Sequence, residues 1–286
     1  MPFYSPLRYP GGKNCIFKFV ANLFEENDMY GASYAEPYAG GAGLALRLLF
    51  EEYVDHVFIN DYDFLIYSFW KSVLNQSNEF CDWIADVEVS MDTWHQSKST
   101  LKKPEGIGSF ELAKATFFLN RTNVSGVIKG GVIGGQKQLG KYKIDVRFNK
   151  DDLIMRIRKI ARYKNRISIS SQDGIAFVKT LDRRKKDIFI YLDPPYYQKG
   201  AGLYMNAYTE NDHEKLSRYV HRMKKKWMVS YDNHEFILNL YKDHPKLVYK
   251  LSQSASNRVG DEVLVFSDQI SFFDSMSKLS APLLIS

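Results

Sequence analysis

Two cysteines, Cys15 and Cys81, in a chain of 286 residues leave no disulfide framework and no CxxC pair that could hold zinc. The six histidines include no HExxH pair, so no metal is expected. No apolar stretch reaches the roughly 18 residues that a membrane span requires. Residues 1–13 carry charge and glycines where a secretory leader would need an apolar run. A soluble, cytoplasmic protein with no membrane partner is therefore expected. The pattern GxxxxGK[ST] is missing as well, which argues against a P-loop kinase or ATPase, and no internal repeat or low-complexity tail is present.

What the chain does have is a large apolar fraction, 45%, enough for one large domain or a core domain carrying an insert. Its net charge is +6, and the distribution says more than the total. Between Lys137 and Arg166 stand eleven Lys or Arg against three Asp, a local excess of +8 that is larger than that of the whole chain. Such a cluster suits a polyanion.

Apolar runs ending in polar or glycine-rich turns alternate with helical spacing, which predicts an α/β fold with a mostly parallel, seven-stranded sheet. The predicted strands are 33–36, 56–59, 167–170, 188–192, 227–230, 246–251 and 262–266. Helices are predicted over 44–53, 62–74, 174–181, 213–225 and 235–241. The alternation breaks between residues 75 and 165, which read as an inserted, largely helical module with helical character over 80–101, 110–119 and 151–163. Residues 1–74 and 166–286 then form the two parts of the core, and the glycine-rich stretch 124–140 is a poor candidate for core.

The first predicted strand runs into Glu36-Pro37-Tyr38-Ala39-Gly40-Gly41-Ala42-Gly43, with a helix directly after. Glycines at such a turn let a ligand approach the main chain. Asp61 follows the next strand, where a carboxylate can accept hydrogen bonds from both ribose hydroxyls of a nucleoside. Glu36 would repel pyrophosphate, so a cationic or zwitterionic ligand fits this loop better than a dinucleotide.

The apolar run 188–192 delivers Asp193-Pro194-Pro195-Tyr196 at the carboxyl end of a strand, where open α/β sheets hold their ligands. An aromatic amine is a weak nucleophile because its lone pair is delocalised. Two acceptors on its protons, the Asp193 carboxylate and the Pro194 carbonyl, can localise that lone pair for attack on a methyl group. The prolines stiffen the turn that aims the carbonyl. Tyr196 offers a ring on which an extruded base can stack, a role that needs no hydroxyl.

Together these motifs resemble the adenine-specific DNA methyltransferases of the D12 class, related to the Dam methylase. Pro6-Leu7-Arg8-Tyr9-Pro10-Gly11-Gly12-Lys13 is similar to the family's N-terminal motif. Glu36 to Gly43 resembles its cofactor loop, Asn60-Asp61-Tyr62-Asp63 its ribose-binding acid, and Asp193 to Tyr196 its catalytic motif. Asn120-Arg121-Thr122-Asn123-Val124-Ser125-Gly126 is similar to a segment of its target-recognition region, and Ser230-Tyr231-Asp232-Asn233 to a C-terminal motif. The order of motifs resembles the alpha group.

The resemblance implies a Rossmann-like, class I S-adenosylmethionine-dependent methyltransferase core with a target-recognition insert. It implies transfer of methyl to N6 of an adenine flipped out of duplex DNA, as in restriction-modification. It places Tyr9, Gly12, Lys13, Glu36, Pro37, Tyr38, Ala39, Gly40, Gly41, Asp61, Tyr62, Asp173 and Asp193 around S-adenosylmethionine, and Asp193, Pro194, Pro195 and Tyr196 at the chemistry. Tyr38 departs mildly from the phenylalanine often found in that loop. DNA contacts are expected from Asn120, Arg121, Thr122, Asn123, Ser125, Lys129, Lys137 and Lys141, by bidentate base contacts or phosphate clamping. Alternatives are methylation of another planar amine, such as N4 of cytosine or an RNA adenine, and a non-catalytic nucleic-acid-binding module. Oligomeric state and target sequence are not legible.

Overall fold

The computed structural model describes residues 3–9, 11–198, 208–253 and 258–285. Pro10 of the N-terminal motif lies outside them. In chain order the strands are β1 (Ser33–Glu36), β2 (His56–Asn60), β3 (Ile167–Ser170), β4 (Ile188–Leu192), β5 (Trp227–Asp232), β6 (Lys246–Gln253), β7 (Arg258–Phe266) and β8 (Leu283–Ile285). The helices are α1 (Phe17–Glu26), α2 (Gly43–Phe50), α3 (Phe64–Asn75), α4 (Ser77–Asp86), α5 (Met91–Lys102), α6 (Ser109–Thr122), α7 (Lys150–Arg162), α8 (Gly174–Asp182), α9 (Glu210–Val220) and α10 (Glu235–Leu240). None of these is long and apolar enough to cross a membrane, among the described residues.

The chain forms two compact units, one of residues 1–10 and 63–171, the other of residues 11–62 and 172–286. In the second unit the strands run in the order β2-β1-β4-β5-β7-β6-β8. The pairings β1 with β2, β1 with β4 and β4 with β5 are parallel, whereas β7 runs antiparallel to β5 and β6, and β8 antiparallel to β6. Strands β1 and β4 are neighbours although the chain leaves the sheet between them, so β1/β4 is the point where strand order reverses. In open α/β sheets that is where ligands sit, beyond the carboxyl ends. Every residue of β1, β4 and β5 is buried, which explains why β4 reads as a continuous apolar run instead of an alternating one.

The seven expected strands are present among the described residues, and β8, paired with β6, is an additional one. Its three residues are partly exposed, so no burial pattern announced it. Helix α1 was not expected either, although Phe17, Val20, Ala21 and Phe24 bury one face at helical spacing. Helix α9 begins three residues earlier than expected because Thr209 and Asp212 close a capping box ahead of it.

The first unit is helical, with β3 at its end, and it includes residues 1–10 and α3 as well as the segment 75–165. Its core is aromatic: Phe69 and Phe117 stack at 5.5 Å, and Phe80 meets Phe69 at 5.9 Å and Phe117 at 5.5 Å. Residues 80–101, read as one helical stretch, form α4 and α5, because Ser90 takes the Thr93 amide and starts a new helix. Helix α7 buries Leu153, Ile157 and Ile160 and leaves its basic residues on the other side, as its spacing predicts.

Candidate active site

Four carboxylates stand at the carboxyl ends of the parallel strands in the second unit: Glu36 ends β1, Asp61 follows β2, Asp193 follows β4 and Asp232 ends β5. The loop after β1 turns on Gly40 and Ala42, which both have positive φ, at 47° and 46°. Asp61 Oδ2 accepts the Gly40 amide at 2.8 Å, while Asn60 donates to the carbonyls of Pro37 and Gln172 and accepts the Gln172 amide at 2.8 Å. The acid expected at the ribose therefore also shapes the glycine loop. Pro37, Ala39, Gly40 and Gly41 are buried in it, and Tyr62 is exposed beside it.

Tyr38 leans on Gly174, where any Cβ would lie 2.6 Å from the ring, and its hydroxyl pairs with that of Tyr208 at 2.9 Å. Asp173 is exposed and caps α8 through the Ala176 amide at 3.0 Å. Glu36 is buried and accepts from the Tyr34 hydroxyl at 3.0 Å and the Ala45 amide at 3.1 Å. Burial pushes its carboxyl from the ordinary 4.5 up to about 8, with Asp193 adding to the rise and the two hydrogen bonds opposing it. No ion pair to Glu36 occurs among the described residues.

Asp193 is anchored through one oxygen. Its Oδ1 accepts the Ser230 hydroxyl at 2.6 Å and lies 3.3 Å from Lys13 Nζ. Ser230 is itself paired with the Tyr191 hydroxyl at 2.8 Å. Desolvation raises the Asp193 carboxyl above its usual range against the pull of Lys13, and Glu262 raises it further. Lys13 is buried in a short 3-10 turn, 3.3 Å from Glu262 Oε2, donates to the Tyr196 hydroxyl, and lies 4.8 Å from the centre of the Tyr196 ring.

Tyr196 in turn donates to Glu262 Oε1 at 2.6 Å, and Tyr249 donates to Glu262 Oε2 at 2.8 Å. Asp232 takes the amides of Tyr197 and Gln198 at 2.9 and 2.8 Å. The segment Asp193-Pro194-Pro195-Tyr196 is thus gripped from two strands, by Ser230 of β5 and Glu262 of β7, and from the Lys13 turn, and the Tyr196 hydroxyl, which stacking alone would not need, is a full member of the cluster. Lys13, placed with the cofactor by resemblance, reaches this carboxylate cluster; Gly12 is exposed just before it. Glu262, Ser230 and Tyr249 were not expected at the site.

The residues expected to touch DNA lie in the first unit, together with Tyr9. Four of them differ from that expectation, since Asn120, Arg121, Thr122 and Asn123 are buried and bonded within the protein. Asn120 accepts the Arg8 amide at 2.8 Å and donates to the Arg8 carbonyl at 2.7 Å and the Gly126 carbonyl at 2.9 Å. Arg121 donates through Nε and Nη2 to the Arg147 carbonyl, the former at 2.7 Å. Thr122 donates to the Phe118 carbonyl at 2.7 Å, and Asn123 takes the Trp94 indole at 2.7 Å while donating to the carbonyls of Val127 and Ile128. For Asn120 and Asn123 the cause is the irregular backbone around them: loops 5–9 and 124–128 leave carbonyls without partners in regular structure, and these side chains satisfy them, while Arg121 does the same for the Arg147 carbonyl and Thr122 bonds back within α6. Gly126 is fixed by the same packing, at φ +77° with the Arg8 carbonyl 2.2 Å from where a Cβ would stand. Lys129, Lys137 and Lys141 are exposed and Ser125 is half-buried with φ 55°.

Strand ends bearing a glycine loop, a loop-bound acid and an anchored Asp-Pro-Pro-Tyr turn define a Rossmann-like α/β transferase site. A family model of the D12 class N6 adenine-specific DNA methyltransferases matches residues 9–256, and the chain belongs to that family. It is a DNA adenine methyltransferase. Among curated proteins, the Type II methyltransferase M.CviBI of Paramecium bursaria Chlorella virus NC1A is 24% identical over 269 residues, covering 90% of this chain and 95% of the relative. Among solved structures, a putative class I S-adenosylmethionine-dependent methyltransferase from Listeria monocytogenes is similar at 14% identity and a TM-score of 0.37. That match covers 89% of this chain, which spans 59% of the Listeria chain.

Proposed function

We propose that the protein transfers a methyl group from S-adenosylmethionine to N6 of an adenine extruded from duplex DNA, with Asp193 as the acceptor on the amine. The observation that carries this reading is the one-sided anchoring of Asp193. Its contacts to Ser230 and Lys13 both fall on Oδ1, which leaves Oδ2 to receive an amine proton. The Pro194 carbonyl is the second acceptor, and together they draw the nitrogen lone pair out of conjugation. The surplus proton of the methylated amine would pass toward Asp193.

The residues present fit the cofactor. S-adenosylmethionine, when bound, supplies the methyl on an electrophilic sulfonium carbon. Glu36, a buried carboxylate without a cationic partner among the described residues, suits the positive charge of such a ligand. Gly40 and Gly41 let it approach the backbone, Asp61 and Tyr38 flank the loop, and Asp173 stands at the start of α8. Residues 1–74 and 166–286 are proposed as the catalytic core and 75–165 as the DNA-recognition part. Exposed Lys129, Lys137 and Lys141 are assigned to phosphates. A restriction-modification setting follows the viral relative's Type II designation.

The test is to incubate the protein with methyl-labelled S-adenosylmethionine and mixed-sequence duplex DNA, then digest to nucleosides and identify the product by mass. N6-methyldeoxyadenosine is expected. N4-methyldeoxycytidine, transfer to RNA alone, or no transfer would overturn the proposal.

A further inference from the structure

Glu262 stands on β7 directly opposite Asp232 of β5 and Tyr249 of β6. It is 2% exposed, yet it meets three groups of the cluster: the Tyr196 hydroxyl, the Tyr249 hydroxyl and the Lys13 ammonium. A buried carboxylate persists only when it is paired and hydrogen-bonded, and this one is. Its position couples two things the transfer needs. The Tyr196 ring is held by its hydroxyl, and the single Lys13 charge lies 3.3 Å from both Asp193 and Glu262, so it is shared between two carboxylates.

We infer that Glu262 is a positioning residue for methyl transfer, orienting Tyr196 and dividing the Lys13 charge between itself and Asp193. Without its negative charge, Lys13 would act on Asp193 alone. The Asp193 carboxylate would then be a weaker acceptor exactly where an acceptor is required, and easier to keep ionised. The groups facing Glu262 are Lys13 and Cys15 from the N-terminal turn, Asp193 and Tyr196 after β4, Asp232 on β5, and Tyr249 on β6. Asp193 additionally faces Glu36 and Tyr34 on β1 and Tyr191 on β4. Burial raises Cys15 and these tyrosines, so they are neutral near pH 7 and contribute no competing charge there.

The inference rests on Asp193 being the acceptor, so Glu262→Gln and Glu262→Asp are measured beside Asp193→Ala. Folding is followed by thermal melting, cofactor binding by calorimetry, and turnover as kcat and KM for DNA across pH. Glu262→Gln keeps the shape and an acceptor for Tyr196 but removes the charge. Its kcat is expected to fall about ten- to a hundredfold, the scale of a misplaced reacting group, with KM for DNA little changed. The acid limb of kcat, which reports Asp193 ionisation, moves to lower pH because a repelling carboxylate is gone. Glu262→Asp keeps the charge and shortens the reach, so it loses kcat while the limb stays in place.

A folded Glu262→Gln with wild-type kcat and an unmoved limb overturns the inference, as does a rise in KM alone. If Glu262→Gln does not fold, Glu262→Asp decides: lowered kcat with a fixed limb supports the role, and wild-type kcat overturns it. Activity in Asp193→Ala would instead bring down the reading of the site itself.

Discussion

The segments 193–196 and 120–123 are both motifs that the sequence offers for contact with DNA, and they use their side chains in opposite ways. In the first, Asp193 and Tyr196 converge on a shared cluster of charge, with Lys13 and Glu262 between them. In the second, Asn120, Arg121 and Asn123 turn inward and bond to loop carbonyls. A motif at the end of a buried strand is held by its neighbours and can face a ligand. A motif at the end of a buried helix beside long loops is the neighbour that holds. Polar residues of the same types thus serve chemistry in one unit and architecture in the other.

The largest effect that could break this contrast is at Arg121. Burial and the nearby Arg8 and Arg156 charges push its guanidinium down to about 9, still protonated at neutral pH, and its donors bind the Arg147 carbonyl. Arg121→Ala should therefore lower stability by about 3 kcal/mol, the upper range for hydrogen bonds to a charged group, read by denaturant melts. A stable variant with altered preference among DNA sequences would make Arg121 a base reader after all.

Next comes Tyr196. Tyr196→Phe leaves Glu262 and Lys13 each one partner short, and turnover should fall about tenfold, as expected for one buried hydrogen bond. Tyr196→Ala should lose a further amount equal to the roughly 1–3 kcal/mol of a base-aromatic stack. Wild-type turnover in the phenylalanine variant would reduce the residue to its ring.

A smaller effect separates the insert's exposed charges from its buried ones. Replacing Lys137 and Lys141 with alanine should weaken binding to all duplexes alike and reduce the slope of log K against log salt by about 1 per phosphate contact. An unchanged slope would place both lysines away from the DNA. The smallest sits in the catalytic unit. With its carboxyl at about 8, Glu36 is mainly protonated at pH 7. Binding a cationic ligand favours the ionised form, so S-adenosylmethionine binding should release part of one proton and tighten as pH rises toward 8. Calorimetry at pH 7 in buffers of different ionisation enthalpy would show this as a buffer-dependent heat, and identical heats would remove Glu36 from the cofactor's charge.

Much of the catalytic unit was legible because its signals are local. Strand β4 is a continuous apolar run and β1 a short one flanked by the glycine loop, and each delivers its motif within a residue or two of its end. Glu262 was not legible as a site residue, since an acid at the head of an apolar run looks like a solvated strand end. Only the pairing of β7 between β5 and β6 shows that it is buried. Tyr249 was hidden because only its pairing with Glu262 brings it to the site, and Ser230, although quoted in a motif, carried no sign that it would reach Asp193. The inward turn of Asn120 and Arg121 was obscured by chemistry, because the donors that can read a base are equally able to satisfy a backbone carbonyl. Their position at the end of α6, where Phe117, Phe118 and Leu119 are all buried, was the available clue.

The most direct measurement is single-turnover methyl transfer by Asp193→Ala, with S-adenosylmethionine and DNA affinities measured on the same preparation. If the anchored carboxylate is the acceptor on the amine, both ligands bind and no N6-methyladenine forms. Substantial transfer by a folded variant would contradict the account and move the chemistry away from this turn.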